Sequence, residues 1–427
     1  MNTPIQDHPL RYALANELHA RPFPVVEAPG RAAYLALKPA QNAAGRDREA
    51  DRAHLLALLD RYGVAHPAPD ATHYFGQIGR HWLKWESHTE FVTYTIFGQG
   101  VADRPYDAAT FNMFPEDWLQ SAPGSRITSA LIRIEPMKSD DEIAAKTDEW
   151  FVPESLALSR VLDGELVIAA DFRIDSAGHM RFAIFADPEC GARRIGRVMQ
   201  RLCEIETYKT MSMLGLARAR QISGELGRQE VRLSELVTGM ANEEIDAADT
   251  LQELLEVSAG LERMVAETSF RFGATGAYET IVHQRIGILR EERFGGRQTF
   301  SEFMMRRFDP AMRTVKSTEA RLHSLSARAI RAGELLRTRV DVERSAQNQA
   351  LLKSMDERSD VQLRLQRTVE GLSVVAISYY AVSLVLYVVG PAEKVFGIAK
   401  YWLAAGVTPV VVICVWLMLR RIQKSMH

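Results

Sequence analysis

Residues 371–392, GLSVVAISYYAVSLVLYVVGPA, run for 22 positions without a charged side chain. As a helix the run extends about 33 Å, enough to cross the hydrocarbon core of a bilayer. A second run at 401–419, YWLAAGVTPVVVICVWLML, is uncharged over 19 positions. Between them Gly390, Pro391, Glu393, Lys394 and Lys400 form a polar, helix-breaking connection. The pair predicts a C-terminal transmembrane hairpin over 371–427, with the lipid bilayer as a partner. Two buried core helices are the alternative, but core helices seldom stay uncharged for this long. Tyr387, Tyr401 and Trp402 also fall where interfacial aromatic residues belong. Arg364 and Arg367 precede the hairpin, and Arg420, Arg421 and Lys424 follow it. This positive excess places both flanks, and so both termini, on the cytoplasmic side of a multi-pass protein.

Upstream of the hairpin, residues 311–370 contain no proline and one glycine, Gly333, and are rich in good helix formers. They predict a long stalk helix feeding the first span. Leu322, Leu325, Ala329, Ala332, Leu336 and Val340 recur at the spacing of a packing seam, either on the chain's own helices or on other subunits. Helical periodicity also marks 193–214, with Ile195, Val198, Met199, Leu202 and Ile205, and 233–267. Residues 189–370 therefore read as a helical bundle. Between 306 and 344 ten Lys or Arg stand against five Asp or Glu, a solvated ion-paired face or a contact for anionic lipid.

Residues 1–188 change character, with short alternating segments and turn chemistry. The stretch 82–97 predicts two strands turning near Ser87 and His88, and 126–134 a third. Asp163-Gly164 joins two further strands at 156–162 and 165–174, and another follows at 180–185. Helices are expected at 48–62 and 141–149. The fold class is thus an α+β cytosolic domain on a mostly antiparallel sheet, followed by a long-helix bundle and a two-helix transmembrane hairpin.

The 52 Lys plus Arg balance 54 Asp plus Glu, so nucleic acid is not an expected partner. The three cysteines, Cys190, Cys203 and Cys414, suit a reducing compartment, and residues 1–6 lack the basic and apolar regions of a secretory signal. Dinucleotide, P-loop and nucleophile-elbow motifs are missing, so no enzyme is expected and no cofactor or metal is assigned. Seven of the eleven histidines lie in the first 90 residues, but none belongs to an HExxH pair. Two polar groups are candidate ligand or ion sites. One is Glu86, His88 and Glu90, which would share a face if one strand ran through them, with exposed hairpin polarity or internal ion pairing as the alternative. The other is Glu17, His19 and Arg21, where Glu17 and Arg21 stand one helical turn apart before Pro22 and can equally form a plain ion pair.

Four blocks carry a resemblance: 16–23, Trp85-Glu86-Ser87-His88-Thr89-Glu90-Phe91, Glu204-Ile205-Glu206-Thr207-Tyr208, and 368–380. With them the chain resembles a bacterial family of membrane-anchored proteins known as domain of unknown function 3422. That resemblance implies membrane anchoring and supplies no activity, and the bacterial inner membrane is the expected location. The architecture, a cytosolic α+β domain and a long helix entering the first of two C-terminal spans, also looks like that of CorA-type magnesium channels. Those are homo-oligomers whose first span lines the pore and ends in a Gly-Met-Asn signature. Here that place holds Tyr387-Val388-Val389-Gly390-Pro391. On a wheel of about 100° per residue, Gln362, Gln366, Ser373, Ala376, Tyr380, Ser383 and Tyr387 share one sector, a stripe suited to a hydrated lining or a helix–helix seam. Two functions follow as expectations: a divergent CorA-like oligomeric cation transporter, or a membrane-tethered ligand-binding or signalling module.

Overall fold

The computed structural model describes residues 5–17, 23–40, 45–240, 246–390 and 400–425. Its strands are β1 (Gly30–Lys38), β2 (His73–Ile78), β3 (His81–Ser87), β4 (Val92–Gln99), β5 (Ser125–Pro136), β6 (Ala157–Val161), β7 (Leu166–Ala170), β8 (Met180–Ala186) and β9 (Glu292–Arg293). The helices are α1 (Arg11–Glu17), α2 (Arg48–Arg61), α3 (Glu116–Gln120), α4 (Asp140–Trp150), α5 (Ala192–Gly239), α6 (Ala247–Leu289), α7 (Phe300–Val389) and α8 (Lys400–Ser425). The chain falls into two compact units, residues 1–242 with 252–332, and residues 243–251 with 333–427.

In the first unit all nine strands form one sheet, in the order β2-β3-β4-β1-β5-β8-β7-β6-β9. It is antiparallel except where β5 pairs with β8 in parallel. The expected strands are present within a few residues, and the β6–β7 turn bends as Asp-Gly dictates. Leu162, Asp163 and Gly164 take φ of 53°, 60° and 89°, and the glycine carries the largest value. The helix starts follow ordinary capping. Asp47 accepts from the Glu49 and Ala50 amides at 2.9 and 3.0 Å, and Ser139 accepts from Glu142 ahead of an acidic first turn in α4.

One face of the sheet's first half is sealed by α2, α3 and the 3-10 turn Ala108–Met113 around Leu55, Leu58, Leu59, Trp85, Tyr94 and Trp118. The equivalent face of the second half packs Ile143 and Trp150 of α4 on Val167, Ala183 and Phe185. Helix α5 lies on the opposite face, against β5 and β8. Two glycines allow the close approaches made by α5. A Cβ at Gly196 would stand 1.8 Å from the Pro24 carbonyl oxygen, and one at Gly215 would stand 2.2 Å from Thr275 Oγ1 of α6.

Three expectations change in detail. The periodicity over 233–267 belongs to two helices, because α5 ends at Gly239 and α6 begins at Ala247. The stalk helix starts at Phe300 instead of 311, with Pro310 inside it. Pro310 leaves the Arg306 carbonyl without its helical N–H partner, and both residues are exposed. Strands β1, β2 and β9 also join the sheet beyond those expected. The seam residues Leu322, Leu325, Ala329, Ala332 and Leu336 are buried.

Two helices are long and apolar enough to cross a membrane, α7 in its last part and α8 at Tyr401–Met418. Among the described residues the chain buries only 6 % and 0 % of their most apolar windows, unlike the mostly buried core helices of a globular domain. The connection expected at 391–399 lies outside the described residues.

Candidate functional site

Strand β3 alternates Leu83 and Trp85, which enter the core under α2, with Lys84 and Glu86, which point the other way, toward α5. Thr93 and Thr95 of β4 and Tyr34 of β1 continue this second face, and Gln200, Cys203, Glu204, Thr207 and Tyr208 of α5 cover it. The layer between sheet and helix is therefore polar, and its charges are paired. Lys84 Nζ donates to Gln200 Oε1 at 2.6 Å and lies 3.2 Å from Glu86 Oε2. Gln200 Nε2 donates to Glu204 Oε1 at 2.6 Å, and Arg285 of α6 donates to the other Glu204 oxygen. One chain of bonds thus runs from the sheet through α5 to α6.

A second such connection starts at the β3–β4 turn. Glu90 is 1 % exposed, binds Arg271 of α6, and accepts from the Tyr278 hydroxyl at 2.9 Å. Burial and then the Glu90 charge push the Tyr278 phenol up. Lys38, on the neighbouring strand, is pushed down by burial and by the Arg271 charge, against the pull of Glu90. His88 stacks on Phe91 at 4.4 Å and meets the edge of Tyr208 at 6.2 Å, while Tyr208 stacks on Tyr278 at 5.5 Å. Arg46 secures the turn from outside, donating to Ser87 Oγ at 2.8 Å and to the His88 carbonyl while paired with Asp51.

Glu86, His88 and Glu90 therefore come to one end of the sheet, but β3 stops at Ser87 and they do not form one strand face. Glu17 is the last residue of α1. The Glu17 side chain, His19 and Arg21 lie outside the described residues. Ser373, Ala376, Tyr380, Ser383 and Tyr387 lie on the last part of α7, and all five are exposed.

Sequence reasoning misses Lys84, Gln200, Arg271, Tyr278 and Arg285. A lysine between Leu83 and Trp85 is the available signal, since a strand with core residues on one face and a charge on the other needs a partner for that charge. The helical partners are far away in sequence, and no local pattern points to them.

At the centre of the layer is a cavity of about 20 Å³. That is room for a water molecule and not for an organic substrate. Burial and the neighbouring Glu204 push the Cys203 thiol up, away from the thiolate that a nucleophile needs. Among the described residues no group of three or more His, Cys, Asp and Glu side chains is placed to hold a metal ion. The arrangement links the sheet, α5 and α6 through paired charges.

No curated protein and no solved structure matches the chain. A family model described as protein of unknown function (DUF3422) matches residues 6–426, and two of the blocks that carry the sequence resemblance, 85–91 and 204–208, face each other across the polar layer. With the match covering almost its whole length, the chain belongs to the DUF3422 family of proteins of unknown function.

Proposed function

We propose that this protein is a homo-oligomeric, divergent CorA-like cation transporter of the bacterial inner membrane. It crosses the bilayer twice, keeps both termini in the cytoplasm, and carries no enzymatic activity. The observation that supports the reading is the placement of the polar stripe on α7. Ser373, Ala376, Tyr380, Ser383 and Tyr387 are exposed, whereas Val374, Ser378, Ala381, Val382, Val385, Leu386 and Val389 are covered to some degree within the chain. At about 100° per residue the covered set is centred nearly opposite the stripe. Hydroxyl groups turned toward lipid tails are unfavourable, and first spans of several copies meeting along the stripe remove that exposure and enclose a narrow polar path. Residues 341–369 of the same helix are also exposed throughout, among them Val361, Leu365 and Val369, and an isolated helix of that kind needs lateral partners in water.

A second reading, a membrane-tethered ligand-binding or signalling module, draws support from the absence of any Asp or Glu between 371 and 392 to hold a cation. Flux of Mg²⁺ and Co²⁺ into liposomes carrying the purified full-length protein separates the two. Transport predicts uptake above that of empty liposomes, and loss of uptake when the hairpin is exchanged for an unrelated one. Absence of flux in both gradient directions eliminates conduction and leaves the module.

A further inference from the structure

Beyond α5's end of the polar layer, the rim of the sheet at the β2–β3 hairpin carries two concavities of about 570 and 510 Å³. Arg31, Arg80 and His81 line both. Each volume lies within the range that holds small organic ligands, in contrast to the water-sized space under α5.

The shared wall is cationic. Arg31 Nη1 donates to the Gly100 carbonyl at 3.2 Å, Arg80 Nε donates to His81 Nε2 at 3.2 Å, and among the described residues no carboxylate forms an ion pair with either arginine. Two carboxylates do line the concavities, but each holds another group: Glu27 accepts from Gln99 at 2.9 Å, and Asp107 caps the 3-10 turn by accepting from Ala109 at 2.8 Å. Burial, then the Arg80 and Arg31 charges, push the His81 imidazole down, as expected for a ring held in a positive field. The ring packs over Gly98, where a Cβ would stand 2.6 Å from His81 Nδ1.

The larger concavity adds an aromatic platform. Trp82, 40 % exposed, stacks on Phe75 with centroids 5.3 Å apart and planes 21° apart, and Phe75 leans on buried Phe97 at 6.3 Å. A half-exposed indole backed by two further rings is a rigid surface for a flat heterocycle, and base stacking on such side chains is tolerant of base identity. Guanidinium forks match phosphate oxygens in geometry and charge.

From these two features sharing one concavity, we propose that the β2–β3 rim is a binding site for a nucleoside phosphate, with the phosphates against Arg31 and Arg80 and the base on Trp82. This site is independent of the reading of the spans, and it fills neither the polar layer nor the membrane segment.

The test is titration calorimetry on the full-length protein in detergent, with ADP, pyrophosphate and adenosine as separate probes. ADP is expected to bind saturably and more tightly than either fragment. Arg80 is exposed in a turn, so Arg80→Gln should leave the melting temperature unchanged and weaken ADP roughly tenfold or more. Trp82→Leu should bring ADP down to the affinity of pyrophosphate while leaving pyrophosphate itself unaltered. Absence of saturable ADP binding at millimolar concentration overturns the proposal, and so does undiminished ADP binding in an Arg31→Gln, Arg80→Gln double variant. Equal affinity for ADP and pyrophosphate in the unaltered protein overturns the assignment of a nucleoside.

Discussion

Glu90, in the turn after β3, and Arg271, in α6, form an ion pair between residues 181 positions apart, with the glutamate 1 % and the guanidinium 16 % exposed. Removing one partner from a buried pair leaves an uncompensated charge, which typically destabilises by about 3–5 kcal/mol. Arg271→Leu alone is therefore expected to lower the urea midpoint of the first unit sharply. Glu90→Leu added to it should restore much of the loss, because the pair is then replaced by apolar packing beside Phe91. A double variant no more stable than Arg271→Leu would show that the turn is held by other contacts, such as those from Arg46 to Ser87 and His88.

The crossing of α5 and α6 depends on Gly215. A methyl group there meets Thr275 Oγ1 at 2.2 Å and its Cβ and Cγ2 at 2.9 Å, so the helices must separate or the threonine must rotate. Overpacking of this kind costs about 1–3 kcal/mol. Gly215→Ala should lower the melting temperature, and Thr275→Ala in the same chain should relieve most of the effect. Gly227 on the same helix has open space where a methyl group would stand, so Gly227→Ala serves as the control and should be neutral or slightly stabilising.

Stability should also fall on mild acidification through His54. Its Nε2–H faces the Trp118 carbonyl at 2.9 Å, its Nδ1 faces the Tyr94 hydroxyl at 3.1 Å, and the ring stacks on Trp118 at 4.0 Å. Burial holds the imidazole below its ordinary value of 6.5 despite the bond to Trp118. A base depressed in the folded state takes up its proton more readily when unfolded. Its contribution is therefore fully present above pH 6.5 and is lost as pH falls from there toward the folded value. His179 is depressed as well, by burial and then by Arg126, and adds to the slope. Unfolding free energies measured between pH 7 and 5.5 should decline by at most about 1.4 kcal/mol per pH unit for each histidine. His54→Gln should flatten that decline, and an unchanged slope would assign it elsewhere.

Much of this fold is legible in the sequence, and the exceptions have physical causes. The apolar runs, the stalk helix and the Asp163-Gly164 hairpin follow from local chemistry. Strand β1, GRAAYLALK, does not, because it lies between β4 and β5 with both faces buried and so shows no alternation, and its alanines and leucines suit a helix equally well. Strand β2 is an edge strand, held on one side only by β3, and its HYFGQI carries a glycine in mid-strand. The site is half legible. Glu86, His88 and Glu90 stand out as a polar cluster, yet their meaning lies in Gln200, Glu204, Arg271 and Arg285, which only the tertiary fold brings near.

The proposal that copies meet along the exposed α7 stripe can be checked by cross-linking. Single cysteines at Ser373 and Ser383, in a chain whose Cys190, Cys203 and Cys414 have been replaced, should cross-link between copies under mild oxidation in native membranes. Val385, on the covered side of the same helix, supplies the comparison, because a cysteine there is turned toward the chain itself. Both stripe positions are expected to give covalent dimers well before Val385→Cys does. Dilution of the protein into excess lipid should slow dimer formation only if the copies meet by random collision, so a rate insensitive to dilution marks a standing oligomer. If Ser373→Cys and Ser383→Cys react no faster than Val385→Cys, the stripe faces lipid, and neither a shared pore nor a self-association seam can be built on it.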